Sequence, residues 1–412
     1  MNLRRRWALI ALGVPATSAL AAQQPDSTLP RPPSTWQAAA SPASDSGHPP
    51  VRHKAFPNDS VRRSRSPGRI ITVDHTPNGT LRTTEFVFSP TVFYAPETGF
   101  GGGSGVVYSR TLGDPGHERR PTTLQASLQL TQEHQFTINS IGDLWTGGNE
   151  MRLTYELIWS HYPQLFYGIG PSTPNAGERW SPTVQRAALT VSKRLRPHLY
   201  VGVQGLVEHE ILTIDDPGLL DTAYVPGQLG WNVVQFGTQA VFDTRVPYYY
   251  PLRGVLVNAS VVRGDAAFGS EFTYTRAVLD VRGYHAIAGE HVLAAQLILD
   301  AVDGVTPFDR LPQLGGMSIL RGMYDGRFRD QSALAAQGEY RTPAWHRFGG
   351  VVFAAVGAVA PTPHLFAGTL FHATGGVGLR FALTDDDRLN VRIDHGWGRG
   401  TSGTYFTIGE AF

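Results

Sequence analysis

A metal centre built on strands needs closely spaced His, Asp or Glu side chains on one face. None of the 14 histidines offers that spacing, so no metal site is expected. The absence of cysteine excludes thiolate ligands, disulfides and lipoprotein acylation together. Gly101-Gly102-Gly103-Ser104-Gly105 lacks the lysine and the strand-to-helix setting of a phosphate loop, and reads as turn flexibility. Arg263-Gly264-Asp265 reads as a strand-end turn. Serine, histidine and aspartate are all present, but no G-x-S-x-G elbow supports a nucleophile. No catalytic residue and no cofactor are expected. The chemistry that remains is ionic: arginines and carboxylates at alternate positions of long runs.

Those runs have period two. Leu124, Ala126, Leu128 and Leu130 alternate with Gln125, Ser127, Gln129 and Thr131; Leu389, Val391, Ile393, His395 and Trp397 alternate with Arg388, Asn390, Arg392 and Asp394. Successive strand side chains face opposite ways, so each run has one apolar and one polar face. A soluble sandwich would bury the apolar face, whereas a membrane barrel turns it to lipid and the polar face to the lumen. Alternation alone does not decide between them. Length favours the barrel, because many runs reach ten or more residues, as a tilted crossing requires. Between Thr84 and Phe412 there are about sixteen such runs, an even number that closes a single-chain barrel. Turn chemistry such as Thr384-Asp385-Asp386-Asp387 separates them. The expected fold is an all-β, transmembrane antiparallel barrel over 81–412.

The ends agree with export to an outer membrane. Arg4-Arg5-Arg6, the apolar run Trp7 to Val14 and Ala19-Leu20-Ala21 make residues 1–21 a signal peptide. Residues 22–80 are rich in Pro, Ser and Arg and read as a disordered periplasmic segment, with one short hairpin around Ile70-Ile71-Thr72-Val73. At the other end Tyr405 to Phe412 reads as a closing strand, its final aromatic suited to a bilayer interface. A net charge of +1 gives no case for nucleic acid. No apolar stretch after the signal is long enough for a helical span.

Between the eleventh and twelfth runs, about 303–331, lies an insertion containing Leu314-Gly315-Gly316-Met317-Ser318-Ile319-Leu320-Arg321-Gly322-Met323-Tyr324. It resembles the loop-six signature of the outer-membrane insertase and translocase superfamily. BamA, TamA and the two-partner secretion transporters belong to that superfamily, and its barrel is called the bacterial surface antigen domain. Other segments resemble the same family in order: Phe93 to Gly101 its first hairpin, Phe166-Tyr167-Gly168-Ile169-Gly170 its mid-barrel motif, Asp243-Thr244-Arg245 with Pro251 and Gly254 its D-x-R…P-x-x-G element, Gly338-Glu339-Tyr340-Arg341 its twelfth strand, and Gly376 to Arg380 with Phe412 its end.

The resemblance implies that loop six folds into the lumen and that its motif residues are Gly315, Gly316, Leu320, Arg321 and Gly322. The loop arginine would then meet inward carboxylates. By parity Gln337, Glu339 and Arg341 face inward, so Glu339 is the first partner expected for Arg321. The family's acid on the next strand is replaced by Ala355, and Asp300 and Asp394 are the inward substitutes. The closing strand would include Gly409 and Phe412, with Gly403 and Gly409 weakening a seam that in relatives opens to client strands. The implied function is non-catalytic insertion or translocation of protein, with outer-membrane lipid, protein clients and accessory subunits as partners. Residues 22–80 are too short and polar for the POTRA modules of most relatives. A passive pore or structural barrel stays open as the alternative, and a soluble secreted β protein as a third.

Overall fold

A computed structural model of the chain describes residues 60–63, 69–75, 81–112, 120–146, 148–216, 218–222, 225–246, 250–382 and 390–412. The signal-peptide reading of 1–21, and most of the segment read as disordered, lie outside those residues.

Sixteen long antiparallel strands close a barrel. In chain order they are β3 (Leu81–Ala95), β4 (Gly99–Leu112), β5 (Thr122–Thr131), β6 (Phe136–Thr146), β7 (Met151–His161), β9 (Glu178–Arg196), β10 (Leu199–Ile214), β11 (Trp231–Asp243), β12 (Gly254–Gly264), β13 (Tyr274–Ala288), β14 (His291–Gly304), β17 (Ser332–Arg341), β18 (Phe348–Ala360), β19 (His372–Ala382), β20 (Asn390–Gly398) and β21 (Thr401–Ile408). Each pairs with its neighbours in sequence, and β21 returns to β3. Three short pieces sit outside the wall ladder: β8 (Gln164–Phe166) on β9, and the ribbon β15 (Gln313–Leu314) with β16 (Phe328–Arg329). Two strands precede the wall, β1 (Ser60–Arg63) and β2 (Arg69–His75), with β2 pairing to β3. β2 is the hairpin strand expected around Ile70 to Val73, and β1 falls inside the stretch otherwise read as disordered.

Period two explains which way each side chain points. On β10, Val203, Val207 and Ile211 are exposed while Leu206, Glu208 and Glu210 are buried; on β20, Ile393 and Trp397 are exposed while Arg392 and Asp394 are buried. A wall that exposes its apolar face and buries its charged one is inverted relative to a soluble core. On β17 the inward set is Gln337, Glu339 and Arg341, and Tyr340 faces out. The glycine run 101–105 lies within β4 and is no turn. A Cβ on Gly101 would stand 2.3 Å from the ring of Phe93, so the bare backbone makes room for that aromatic.

The wall ladders are long, as in the sixteen-position pairing of β9 with β10 and the eight of β20 with β21. The seam is the exception, with Phe406↔Tyr94 as its single ladder pair among the described residues.

Candidate functional site

Segment 305–331, between β14 and β17, makes its contacts with the inward faces of the wall. A single-turn 3₁₀ segment, Phe308–Arg310, starts it. Arg310 donates to Glu208 of β10, a carboxylate that also takes two bonds from Arg186 of β9, at 2.8 and 2.5 Å. The same guanidinium reaches Gln235 Oε1 of β11 at 3.3 Å and lies 5.5 Å from the Trp231 ring. The segment is thereby fastened to the β9–β11 side.

Its far end carries Gly315, Gly316, Leu320, Arg321 and Gly322. The ribbon β15–β16 brings the chain round, and Gly316 N donates to Met323 O at 2.7 Å, closing a tight loop. Leu320 has a φ of +51°, a left-handed conformation that costs a non-glycine residue and throws it and Arg321 to opposite sides. Leu320 enters an apolar cluster with Leu314, Ala335, Ala355 and Val359. Arg321 enters a polar one. The two backbones meet at Gly322 and Gly396: a Cβ on Gly322 would lie 2.6 Å from Gly396 C, and one on Gly396 would lie 2.4 Å from Arg321 O. Glycine at both positions is therefore a condition of contact between the loop and β20.

Arg321 is 1% exposed. Its Nη2 donates to Glu339 and its Nη1 donates to Asp394 Oδ2 at 2.7 Å, with the guanidinium carbon 3.6 Å from the centre of the Phe353 ring. Both acids are shared. Glu339 also accepts from Arg341 Nε at 2.9 Å. Asp394 also accepts from Arg380 Nη1 at 2.6 Å and lies 3.5 Å from Arg392 Nη1. Arg380 goes on to Glu410 at 2.8 Å, and Arg341 Nη2 donates to Phe412 O at 3.0 Å. The result is a branched network from loop to tail. It contains four guanidiniums (Arg321, Arg341, Arg380, Arg392) and three carboxylates (Glu339, Asp394, Glu410).

Two sequence expectations need correction. Asp300, named as a substitute acid for Arg321, instead binds Arg276 through both carboxylate oxygens, at 2.8 and 2.5 Å. The register explains this: Asp300 sits opposite Val278, two positions from Arg276 on the same face of β13, a diagonal neighbour within reach of a long side chain. Gly409 and Phe412, read as part of the closing strand, follow its last residue: β21 stops at Ile408, and Gly409 gives one last bond to Asn390 O of β20 at 2.7 Å before its φ of +97° turns the chain. The aromatic side chain of Phe412 meets no bilayer interface. It is buried among Tyr284, Val292 and Ala294 of β13 and β14, under the Arg341 guanidinium at 5.5 Å. Beyond β21, burial pushes the Glu410 carboxyl up, but Arg380 and then Arg341 outweigh it and hold it below its ordinary value.

Residues that went unnamed as site members also matter. Tyr405 of β21 is fully buried; its hydroxyl accepts from Gly322 N at 3.0 Å and donates to Met323 O at 3.1 Å. Thr401 Oγ1 donates to Gly322 O at 2.8 Å. Met317 packs against Phe93 of β3 and Tyr405 of β21, so the segment touches both sides of the seam. Parity alone places Arg380, Arg392 and Tyr405 inward, but nothing in period two says which inward groups a distant loop will meet.

The other motifs are local clasps. Asp243 holds Arg245 at 2.9 and 3.0 Å. Gly170 N donates to Arg329 O at 2.8 Å, tying the mid-barrel motif to segment 305–331. Arg263 pairs with Asp265 on an exposed turn, where Asp265 also caps Ala267 N. Among the described residues no group of three or more His, Asp or Glu stands close enough to share a metal ion.

Residues 120–412 match the model of the Omp85 superfamily domain. No curated protein sequence matches the chain. Among solved structures it is similar to BamA from Haemophilus ducreyi lacking POTRA domains 1–3, at a TM-score of 0.56 and 13% identity, over 85% of this chain and 75% of that one. It is also similar to CdiB from Escherichia coli (TM-score 0.53, 12% identity, 78% of this chain and 62% of that one). CdiB from Acinetobacter baumannii matches at a TM-score of 0.50 and 14% identity, over 78% and 59%. At such identities the likeness is one of fold, and the chain spans about three fifths of the CdiB chains.

Proposed function

The chain belongs to the Omp85 superfamily, and from that premise we propose that it is an outer-membrane barrel that inserts or translocates protein without catalysing a reaction. Superfamily membership supports the outer-membrane location and a family-level role in assembly or translocation alongside clients and accessory subunits. Export by a signal peptide at 1–21 is part of the same reading.

One observation carries it. A barrel wall with ladders of eight to sixteen pairs is joined at one place by a single pair, Phe406↔Tyr94. A joint with so few backbone hydrogen bonds is the cheapest place for a wall to open, and opening exposes strand edges to which an extended client can add. The Arg321 network has the role of a brace in this reading. It transfers no proton and breaks no bond; it fixes segment 305–331 beside the seam.

The test locks the seam. Because the chain has no cysteine, Tyr94→Cys with Phe406→Cys introduces one defined disulfide. In vesicles supplied with an unfolded outer-membrane precursor, the oxidised form is expected to lose insertion and a reductant to restore it. Equal insertion by oxidised and reduced forms would overturn the reading. Steady ion conductance by the wild-type chain, together with no client insertion, would favour the pore alternative.

A further inference from the structure

The first wall strand has a divided edge. On one side β3 pairs with β4 along its whole length, from Arg82↔Leu112 to Ala95↔Gly99. On the other side Tyr94 meets β21, and Leu81 to Val87 meet His75 to Arg69 of β2 over seven positions. Between those covers, Phe88 to Phe93 have no strand partner on that side among the described residues. Pro90 falls in this bare stretch, where a residue without an N–H is tolerated.

A strand edge that is left open pairs with whatever extended backbone arrives. Here the chain covers the lower half of that edge with its own backbone. β2 is followed outward by β1, which pairs with β2 alone among the described residues. β1 has the marks of a strand that ends a sheet: it has four residues, finishes on Arg62-Arg63, and Pro67 follows it in the sequence. The β1–β2 pair is held to the wall along one edge only, by the seven positions of the β2–β3 ladder. It is therefore a cover that can leave, unlike the wall ladders on either side of each strand.

Building on the insertion reading above, we propose that β1–β2 is a tethered stand-in strand: it occupies the edge of β3 to which an extended client segment adds, and is exchanged for that segment. The partner is recognised through its backbone hydrogen bonds, so it is defined by extended conformation and alternating apolar character more than by a fixed sequence. The hairpin keeps the edge from pairing with a second barrel while no client is present.

The absence of cysteine again permits a clean experiment on the full chain. Thr72 and Thr84 are directly opposite in the β2–β3 register. Opposed residues in an antiparallel ladder have Cα atoms about 4.5–5.5 Å apart, within the range a disulfide spans. Thr72→Cys with Thr84→Cys therefore locks the hairpin down, and deletion of 60–75 removes it. The probe is a labelled synthetic peptide of the β2 sequence, Arg69 to His75, with hydrogen exchange of the 81–87 amides as a second readout. The deletion variant is expected to bind the probe and regain slow exchange at 81–87, while the oxidised lock binds it about tenfold or more weakly until reduced.

Equal probe binding by the oxidised lock and the deletion variant would overturn the assignment. So would 81–87 amides that exchange as fast with the hairpin present as without it. The two readings fail separately. Probe binding with no client insertion by any form sinks the insertion reading and leaves the edge assignment standing. Client insertion at an unchanged rate by the oxidised lock sinks the edge assignment and leaves the insertion reading.

Discussion

Replacing Asp394 by asparagine should destabilise the barrel more than replacing Arg321 by methionine, and the order follows from counting charges. The buried network holds four guanidiniums against three carboxylates. Removing Arg321 leaves three of each. Glu339 keeps Arg341, and Asp394 keeps Arg380 and Arg392, so no acid is stranded. Removing the charge of Asp394 leaves four cations with two acids. Arg321 falls back on Glu339 and Arg380 on Glu410, but among the described residues Arg392 keeps no ion pair and retains the Met317 carbonyl, at 3.2 Å. Stranding a buried charge costs about 3–5 kcal/mol, and asparagine is expected in that range, with methionine at 321 at or below about 3 kcal/mol. Urea unfolding in detergent, read as loss of the heat-modifiable gel shift, gives both values. An Asp394→Asn barrel as stable as Arg321→Met, or within about 0.5 kcal/mol of wild type, would refute the charge argument.

Three further outcomes are expected. Gly322→Ala puts a Cβ 2.6 Å from Gly396 C at a φ of +106°, so the folded fraction should fall by the equivalent of about 1–3 kcal/mol or more; a normal gel shift would show that the loop does not touch β20. Double-mutant cycles should couple Asp300 to Arg276 and leave Asp300 and Arg321 additive within about 0.5 kcal/mol; coupling to Arg321 would contradict the register argument. The Glu410 carboxyl is held below its ordinary value of 4.5 in the folded chain, so its contribution is fully present above that pH and is lost as acidification approaches the depressed folded value. Glu410→Gln should therefore flatten the acid limb of a stability–pH curve, and an unchanged limb would count against the Arg380 pairing.

Much of the wall was legible because a two-residue period carries its own orientation. Glu339, Arg341 and Asp394 could be placed inward from parity alone, and the long insertion stood out as the one break in the pattern. Partner choice was not legible in the same way. Asp300 and Asp394 have the same parity, and only the ladder register shows that Arg276 lies two positions from Asp300 while the loop reaches β20. The fate of 409–412 was hidden for a related reason. Ile408 and Phe412 share the apolar look of a strand, and one glycine with a positive φ decides that the strand ends and the aromatic turns in. β2 was legible as the short hairpin strand Ile70 to Val73, whereas β1 was concealed by its arginine- and proline-rich surroundings.

Segment 305–331 is tied at Arg310 to β9–β11 and at Arg321 and Gly322 to β17 and β20–β21. It works as a tie rod across a hollow tube. Such a rod would resist any flattening that changes the distance between its two anchorages, and sliding at the joint beside it would first have to part Met317 from Phe93 or Tyr405. A pull on the anchorage at Glu208 would reach that joint through segment 305–331.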